Sequence, residues 1–290
     1  FSGFPSVYPA IIQLPATQRR RVARKIFDLI QERLRPYGIQ RIELCRHPMS
    51  LGFLAGNFEP VNIAEGLSFG YLCYIKNTII INLKKDERQL ASEMSQYQRK
   101  HVKRTKEKGL MTKEYRGDKL DIDKVFSDYQ AAHFKSAGRL TRPIESWEIM
   151  KSLLEQNKAT LFVASTSDGI DISYLYCGEF DKFSFGWSQV NVDAYEREYS
   201  PRHLLEWEAM MSYKRKGFNY YEVGIKYDSP QLNYIPTEKE ISISQFKERY
   251  GGAIYCGLYF EKIFDKELFN MAYKNRLEKF LEQNRWLSEK

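Results

Sequence analysis

The apolar positions of this chain fall into helical rows and short strand-like runs. Between residues 16 and 35, Val22, Ile26, Leu29, Ile30 and Leu34 recur at helical spacing. They predict an amphipathic helix, followed by a short strand at 39–44 with Pro36 and Gly38 at the join. After a glycine-rich connection, 67–83 reads as strand with a hairpin turn at Lys76 and Asn77. A second helix is expected over 86–108, with Leu90, Met94, Tyr97 and His101 on one face and Gly109 as its stop, and 110–115 reads as a strand. From 121 onward the pattern predicts helices at 122–137 and 144–156 and strands at 160–166, 170–179 and 182–191. A helix at 201–216, a strand at 219–225, a short helix at 244–250, a strand at 253–261 and a terminal helix from Lys266 towards Trp286 complete it. These runs divide at about residue 118 into a first unit, 1–118, and a second, 119–290. No internal repeat joins them.

Apolar residues at 43% and charged residues at 28% are the balance of a folded globular chain, neither disordered nor built for a bilayer. The apolar runs, such as 78–83, are strand-sized and far short of a membrane span, so no transmembrane segment is expected. A chain beginning at Phe1 reads as part of a longer one, and its localisation is inferred as cytoplasmic. Cys45, Cys73, Cys177 and Cys256 lack metal or disulfide spacing and are expected to be buried, reduced thiols. His47, His101, His133 and His203 show no ligand spacing, so no metal is assigned.

Charge changes the picture by its placement. The net +8 is more than accounted for by 19–35, with seven basic and two acidic residues, and 99–108, with six and one. The remainder of the chain is net negative. Within 86–108, Arg99, Lys103 and Lys106, and likewise Lys100, Arg104 and Lys108, follow helical spacing and form a broad basic face. Such a surface suits a phosphate-bearing partner: tRNA, a nucleotide-linked sugar, a lipid-linked diphosphate, or an anionic membrane face in peripheral contact. A solvated helix face is the ordinary alternative.

Three segments carry more specific information: AGRLTRPIESWE (137–148), YSPRHLLEWEAMMSYKRKGFNYYEVG (199–224) and KEISISQFKERYGG (239–252), supported upstream by TIIINLKKDERQLASEMSQYQRKHVKRTKEKGL (78–110). They resemble the FemAB-like family, the peptidoglycan bridge-forming aminoacyltransferases and their shorter relatives within the GNAT acetyltransferase superfamily. The order of elements after residue 121 is also that of the acetyltransferase fold. The resemblance implies an α/β fold of tandem GNAT-like (acyl-CoA N-acyltransferase-like) units, with mixed central sheets flanked by helices. The chain has no room for the helical arm of the long members, so it is similar to the compact ones.

The activity implied is transfer of an aminoacyl or acyl group onto a primary amine of a cell-envelope precursor, a peptidoglycan peptide or an amino sugar. The donor is aminoacyl-tRNA or acyl-CoA, with no tightly bound cofactor. A CoA-dependent N-acetyltransferase and a non-catalytic binding module on the same fold are the alternatives. In the family, the lysine of the Phe-Lys motif places the donor's ester end and stabilises developing charge, which here implies Lys247 with Phe246 beside it. Glu222 and Glu240 are the carboxylates nearest in sequence and candidate bases, although an ordered water also serves in this superfamily. Gly251 and Gly252 are expected to turn the chain through positive φ.

Ser200 and Pro201 read as the N-cap and first residue of a helix matching the one that receives the CoA pyrophosphate in the superfamily. The preceding residues, with Tyr199, lack the Gly-rich loop of acetyl-CoA users, which favours aminoacyl-tRNA, and Arg202 is the residue able to hold a phosphate there. Trp187 and Ser188 fall on the strand facing the acceptor in related folds. Arg139 and Arg142 are candidates for an acceptor phosphate or carboxylate, Lys239 is a further candidate for substrate or donor binding, and Trp147 reads as core.

Overall fold

The computed structural model describes residues 6–7, 15–46, 48, 63–117, 121–228 and 230–284. In chain order the elements are β1 (Ser6–Val7), α1 (Ala16–Leu34), β2 (Arg41–Arg46), α2 (Ile63–Ser68), β3 (Leu72–Asn82), α3 (Glu87–Glu93), α4 (Gln96–Glu107) and β4 (Met111–Tyr115). Then come α5 (Ile122–Ala137), α6 (Ile144–Glu155), β5 (Ala159–Ser165), β6 (Asp171–Phe180), β7 (Phe183–Asn191), α7 (Asp193–Tyr199) and α8 (Pro201–Arg215). The chain ends with β8 (Tyr220–Lys226), α9 (Glu238–Glu248), β9 (Ala253–Ile263) and α10 (Lys266–Gln283). No helix among the described residues is long and apolar enough to cross a membrane.

These elements form two compact units. The first comprises Thr78–Ile225 and Gln245–Ile254; the second comprises the described residues up to Asn77, Lys226–Ser244 and those from Tyr255 onward. In the first unit the strands run in the order β3, β8, β7, β6, β5, β4. The pairs from β4 to β7 are antiparallel, while β7 and β8 are parallel. Because side chains alternate along a strand, β5 and β6 each feed two cores. Phe162, Ala164, Leu175 and Cys177 meet α3, α4 and α8 on one face, whereas Leu161, Val163, Tyr174 and Tyr176 meet α5 and α6 on the other. In the second unit β1 pairs parallel with β2, β2 antiparallel with β9, and β9 neighbours β3. There α1 turns Ala23 and Phe27 onto Leu44, Tyr71 and Phe260.

Four expectations change. The helix read over 86–108 is two helices: Met94 is extended, and Ser95 accepts from the Gln98 N–H to start α4, nine residues after Asp86 has capped α3 with Gln89 in a reciprocal box. Two caps so close in sequence stop and restart the helix although its apolar row continues. The hairpin at Lys76 and Asn77 does not form, because β3 runs unbroken through both. Instead the Lys76 ammonium bridges to Glu43 at 3.1 Å and the Asn77 amide donates to Asp228. Ser200 is not a side-chain N-cap: it lies in the left-handed region at φ 48°, ending α7, a helix the sequence pattern did not predict, where α8 begins. Finally, Cys45 and Cys177 are buried, but Cys73 is half-buried and Cys256 exposed; all four are free thiols.

Gly251 and Gly252 turn the chain from α9 into β9 with φ of 82° and 86°. A Cβ on Gly252 would lie 2.7 Å from the Ile80 carbonyl oxygen and 2.9 Å from Ile81 Cγ1. Backbone strain and collision with backbone act together, so Gly252→Ala is expected to lower the unfolding free energy by about 2 kcal/mol or more, read from urea denaturation.

Candidate functional site

In the first unit the parallel strands β7 and β8 pair only over 183–185 and 220–222 and then part. Open sheets take their ligands beyond the carboxyl ends of parallel strands. The residues at this fork are Gly186, Tyr221, Glu222 and, from α8, Glu206. A Cβ on Gly186 would lie 3.0 Å from the Tyr221 hydroxyl and 3.4 Å from Glu206 Oε1, a tight approach that glycine avoids. The Tyr221 hydroxyl donates to Glu206 Oε1 at 2.6 Å, and the Thr78 hydroxyl donates to Glu222. Both carboxylates are buried. Burial pushes the Glu206 carboxyl above its ordinary pKa, against the Tyr221 hydrogen bond and the charges of Lys247 and Arg202.

Lys247 leaves α9 and lies across Gly224. A Cβ on that glycine, whose φ is 121°, would sit 2.5 Å from the Lys247 Nζ. The ammonium faces the Ile225 carbonyl at 3.4 Å. Burial lowers its pKa; Glu206 and then Glu222 oppose that shift, and Arg202 adds to it. Phe246 is half-buried beside it, with the Arg202 guanidinium over its ring at 5.0 Å. The Arg202 Nε is buried without a hydrogen-bond partner. From Phe246 a row of rings runs outward: His203 at 5.1 Å, His101 stacked on His203 at 4.5 Å, and Tyr97 on His101 at 4.3 Å, with Arg249 over Tyr97 at 4.6 Å. His203 is buried, which together with the charges of His101, Arg202 and Arg249 lowers its pKa to about 4.

The remaining candidates separate. Arg142 donates to the Ser188 hydroxyl at 3.0 Å, Ser188 contacts His133 Nε2 at 2.9 Å, and the guanidinium stacks on the buried Trp147 at 4.6 Å. Burial and Arg142 lower the His133 pKa to about 4. Trp187, next along β7, packs against Tyr176 and Phe185, and Arg139 is exposed beyond α5. The Tyr199 carbonyl accepts from Thr105 at 2.9 Å, and its ring lies under Lys108.

On the basic face, Arg99 donates to the carbonyls of Ala91, Ser92 and Met94 and thereby caps α3. Lys103 and Arg104 are exposed on α4, Lys103 3.8 Å from Glu107. In the second unit, Glu240 accepts from the Thr237 N–H and hydroxyl at 2.8 Å and from the Tyr234 hydroxyl, while Thr237 accepts from the Glu240 N–H: a capping box that starts α9. Lys239 is exposed on its first turn.

Sequence reasoning missed Glu206, Tyr221, Gly224 and the stacked histidines. A signal for Glu206 existed: in PRHLLEWEAMMSYKR it stands among Leu204, Leu205, Trp207, Ala209 and Met210, and a carboxylate among such neighbours must find partners. A concavity of about 540 Å³ in the second unit, lined by Asp28, Glu32, Arg35 and Phe264 among others, contains none of the candidate residues. No group of residues suited to a metal ion occurs among the described residues.

No protein-family model matches the chain, and comparison with curated protein sequences finds no match. Solved structures do match. FemX superimposes with a TM-score of 0.60 at 15% identity, over 88% of this chain and 79% of that one. A domain from Agrobacterium fabrum, assigned as the C-terminal domain of a lysylphosphatidylglycerol synthetase, gives 0.56 at 11%, over 87% and 77%. L-PGS from Bacillus licheniformis gives 0.50 at 13%, over 79% and 71%. The chain thus has the α/β, tandem GNAT-like fold of FemX, and the resemblance read in the sequence is met at the level of fold.

Both low-pKa histidines bind protons more readily in the unfolded chain, so their contribution is present above about pH 6.5 and lost as pH falls towards 4. The unfolding free energy is expected to decline across that window, and His203→Phe to flatten the decline, in denaturant titrations at pH 4.5, 5.5 and 7.

Proposed function

We propose that this chain is an acyltransferase that moves an aminoacyl or acyl group onto a primary amine of a cell-envelope molecule, with Lys247 at the reacting carbonyl. The observation that carries this reading is the half-buried Lys247 ammonium, fixed across Gly224 beyond the parting of β7 and β8. When an amine nitrogen attacks an ester or thioester carbonyl, a C–N bond forms and the oxygen gains charge. Collapse then breaks the bond to the donor, whose departing atom takes the amine proton. A fixed cation in a poorly hydrated site stabilises the oxyanion strongly. The fold shared with FemX, with the domain assigned to a lysylphosphatidylglycerol synthetase and with L-PGS supports the envelope acceptor.

For the donor, the reading favours aminoacyl-tRNA over acyl-CoA. The stretch before α8 is helix rather than glycine loop, and its carbonyls at Glu198 and Tyr199 accept from Lys108 and Thr105. Arg202, with Nε unpartnered, would meet a donor phosphate, and the exposed Lys100, Lys103 and Arg104 of α4 would meet further phosphates. The acceptor would lie towards Arg142, Ser188 and Trp187 on the other side of the fork. A phosphate-bearing or lipid-linked acceptor, with peripheral membrane contact, fits this reading.

Lys247→Ala is expected to reduce transfer at least ~100-fold with little loss of stability; unchanged biological activity would instead favour a non-catalytic module. RNase treatment is expected to abolish transfer. A thermal shift with coenzyme A, and activity resistant to RNase, would favour the acetyltransferase reading.

A further inference from the structure

We propose that Tyr97 and Arg249, at the outer end of the row of rings that leads to Phe246, form a stacking site for a nucleobase, with Lys100 and Arg104 placed for the phosphate beside it. The ligand class is a nucleotide, a planar base carried on a sugar phosphate. The inference rests on the reading of the chain as a transferase with a nucleotide-bearing donor, and it assigns part of that donor a place.

The basis is geometric. Every residue of the row belongs to the first unit. Phe246 adjoins Lys247 in the chain and meets the His203 ring at 5.1 Å; His101 stacks on His203 at 4.5 Å with 23° between the ring planes, and Tyr97 follows at 4.3 Å. Exposure rises along the row, from 8% at His203 to 49% at Tyr97. It therefore runs from the interior, beside the lysine, out to solvent. At the open end the Arg249 guanidinium lies over the Tyr97 ring at 4.6 Å. A guanidinium facing an exposed phenol ring supplies the two surfaces between which proteins hold an unpaired base. Arg249 is exposed on a long side chain, so a base enters by lifting it from the ring, and the cation then covers the base's other face.

Helical spacing puts Lys100 and Arg104 on the same side of α4 as Tyr97 and His101. Both are exposed, and like Arg249 neither forms an ion pair with a described residue. Burial, and then the charges of Arg104, Lys100 and Arg249, lower the His101 pKa, and burial above all lowers that of His203 to about 4. Both imidazoles are neutral at pH 7 and add aromatic faces rather than charge. Three cations around an exposed ring suit a base with its phosphate; a purely anionic ligand would have no use for the rings.

A second observation lies at the inner end of the row. His203 Nδ1 and Arg202 Nε are buried with no hydrogen-bond partner among the described residues. Buried polar atoms are nearly always satisfied, and the sugar hydroxyls and phosphate oxygens of a nucleotide are partners of the required kind.

The experiment uses the full chain and small ligands. Adenosine 5′-monophosphate is compared by NMR titration at pH 7 with ribose 5-phosphate, which keeps the sugar and phosphate and lacks the base. The nucleotide is expected to bind at least ~10-fold tighter, with Tyr97→Phe keeping that preference and Tyr97→Leu abolishing it. Equal affinity for the two ligands overturns the proposal, as does a preference unchanged in Tyr97→Leu. Should Tyr97→Leu fail to fold, Arg249→Gln decides: the preference is expected to fall ~3-fold or more, and no change overturns the site. The trinucleotide CpCpA and coenzyme A then separate the two sources of such a base. Displacement of the monophosphate by either supports the proposal, and the tighter competitor names the source; displacement by neither overturns it. None of these measurements needs turnover, so they hold their meaning even if Lys247→Ala retains transfer.

Discussion

A lysine ammonium drawn half out of water constrains everything around it. Left alone it would lose several kcal/mol of hydration and shed its proton. Here Glu206 and Glu222 oppose that loss, and each has its own support, Tyr221 for one and Thr78 for the other. The chain of dependence reaches the backbone. Lys247 crosses β8 at Gly224, where a methyl group would lie 2.5 Å from its Nζ, and Glu206 approaches β7 at Gly186, where a methyl group would lie 3.0 Å from the Tyr221 hydroxyl. Two glycines in the interior of strands would ordinarily weaken a sheet. At these points they let charged and hydroxyl groups lie against its backbone.

The same constraint explains why α8 is so completely covered. Eleven of the fifteen residues of α8 are buried, so it needs packing on nearly every side. The sheet serves one face, and α4 serves another by turning Gln98, Val102 and Thr105 inward. What α4 leaves outside is basic by default, so its charge does not by itself identify a ligand. Arg99, Lys106 and Lys108 are occupied locally, by the end of α3, by Glu208 and by the Glu198 carbonyl. Lys100, Lys103 and Arg104 are exposed with no partner outside α4, Lys103 lying 3.8 Å from Glu107, a narrower surface than helical spacing alone suggests.

From Ile122 onward the sequence was a good guide, because α5, α6 and β5 to β8 are each bounded by punctuating residues and carry apolar runs of the right length. The misreadings had local causes. Continuous apolar spacing across Met94 outweighed the second cap at Ser95, and Lys76 with Asn77 resembled a turn because their partners, Glu43 and Asp228, are distant in sequence. Gly251 and Gly252 were legible because a positive φ leaves a compositional trace. Glu206 was not, because a buried carboxylate is defined by what approaches it from other elements.

That difference sorts the carboxylates. Glu240 and Glu222 drew attention by lying near the Phe-Lys motif in the chain, and proximity along the chain treats them alike. Space does not. Glu240 spends both oxygens on Thr237 and Tyr234 at the start of α9, a task any Thr-x-x-Glu could perform. Glu222 and Glu206 act on the Lys247 charge, one from the strand beneath it and the other from a helix far earlier in the chain. The motif fixes where the lysine begins, and the sheet fork with its two glycines fixes where the charge ends. Chemistry at a carbonyl depends on the second, so residues outside the motif decide whether Lys247 is an ammonium poised at a reacting group or an ordinary helix lysine.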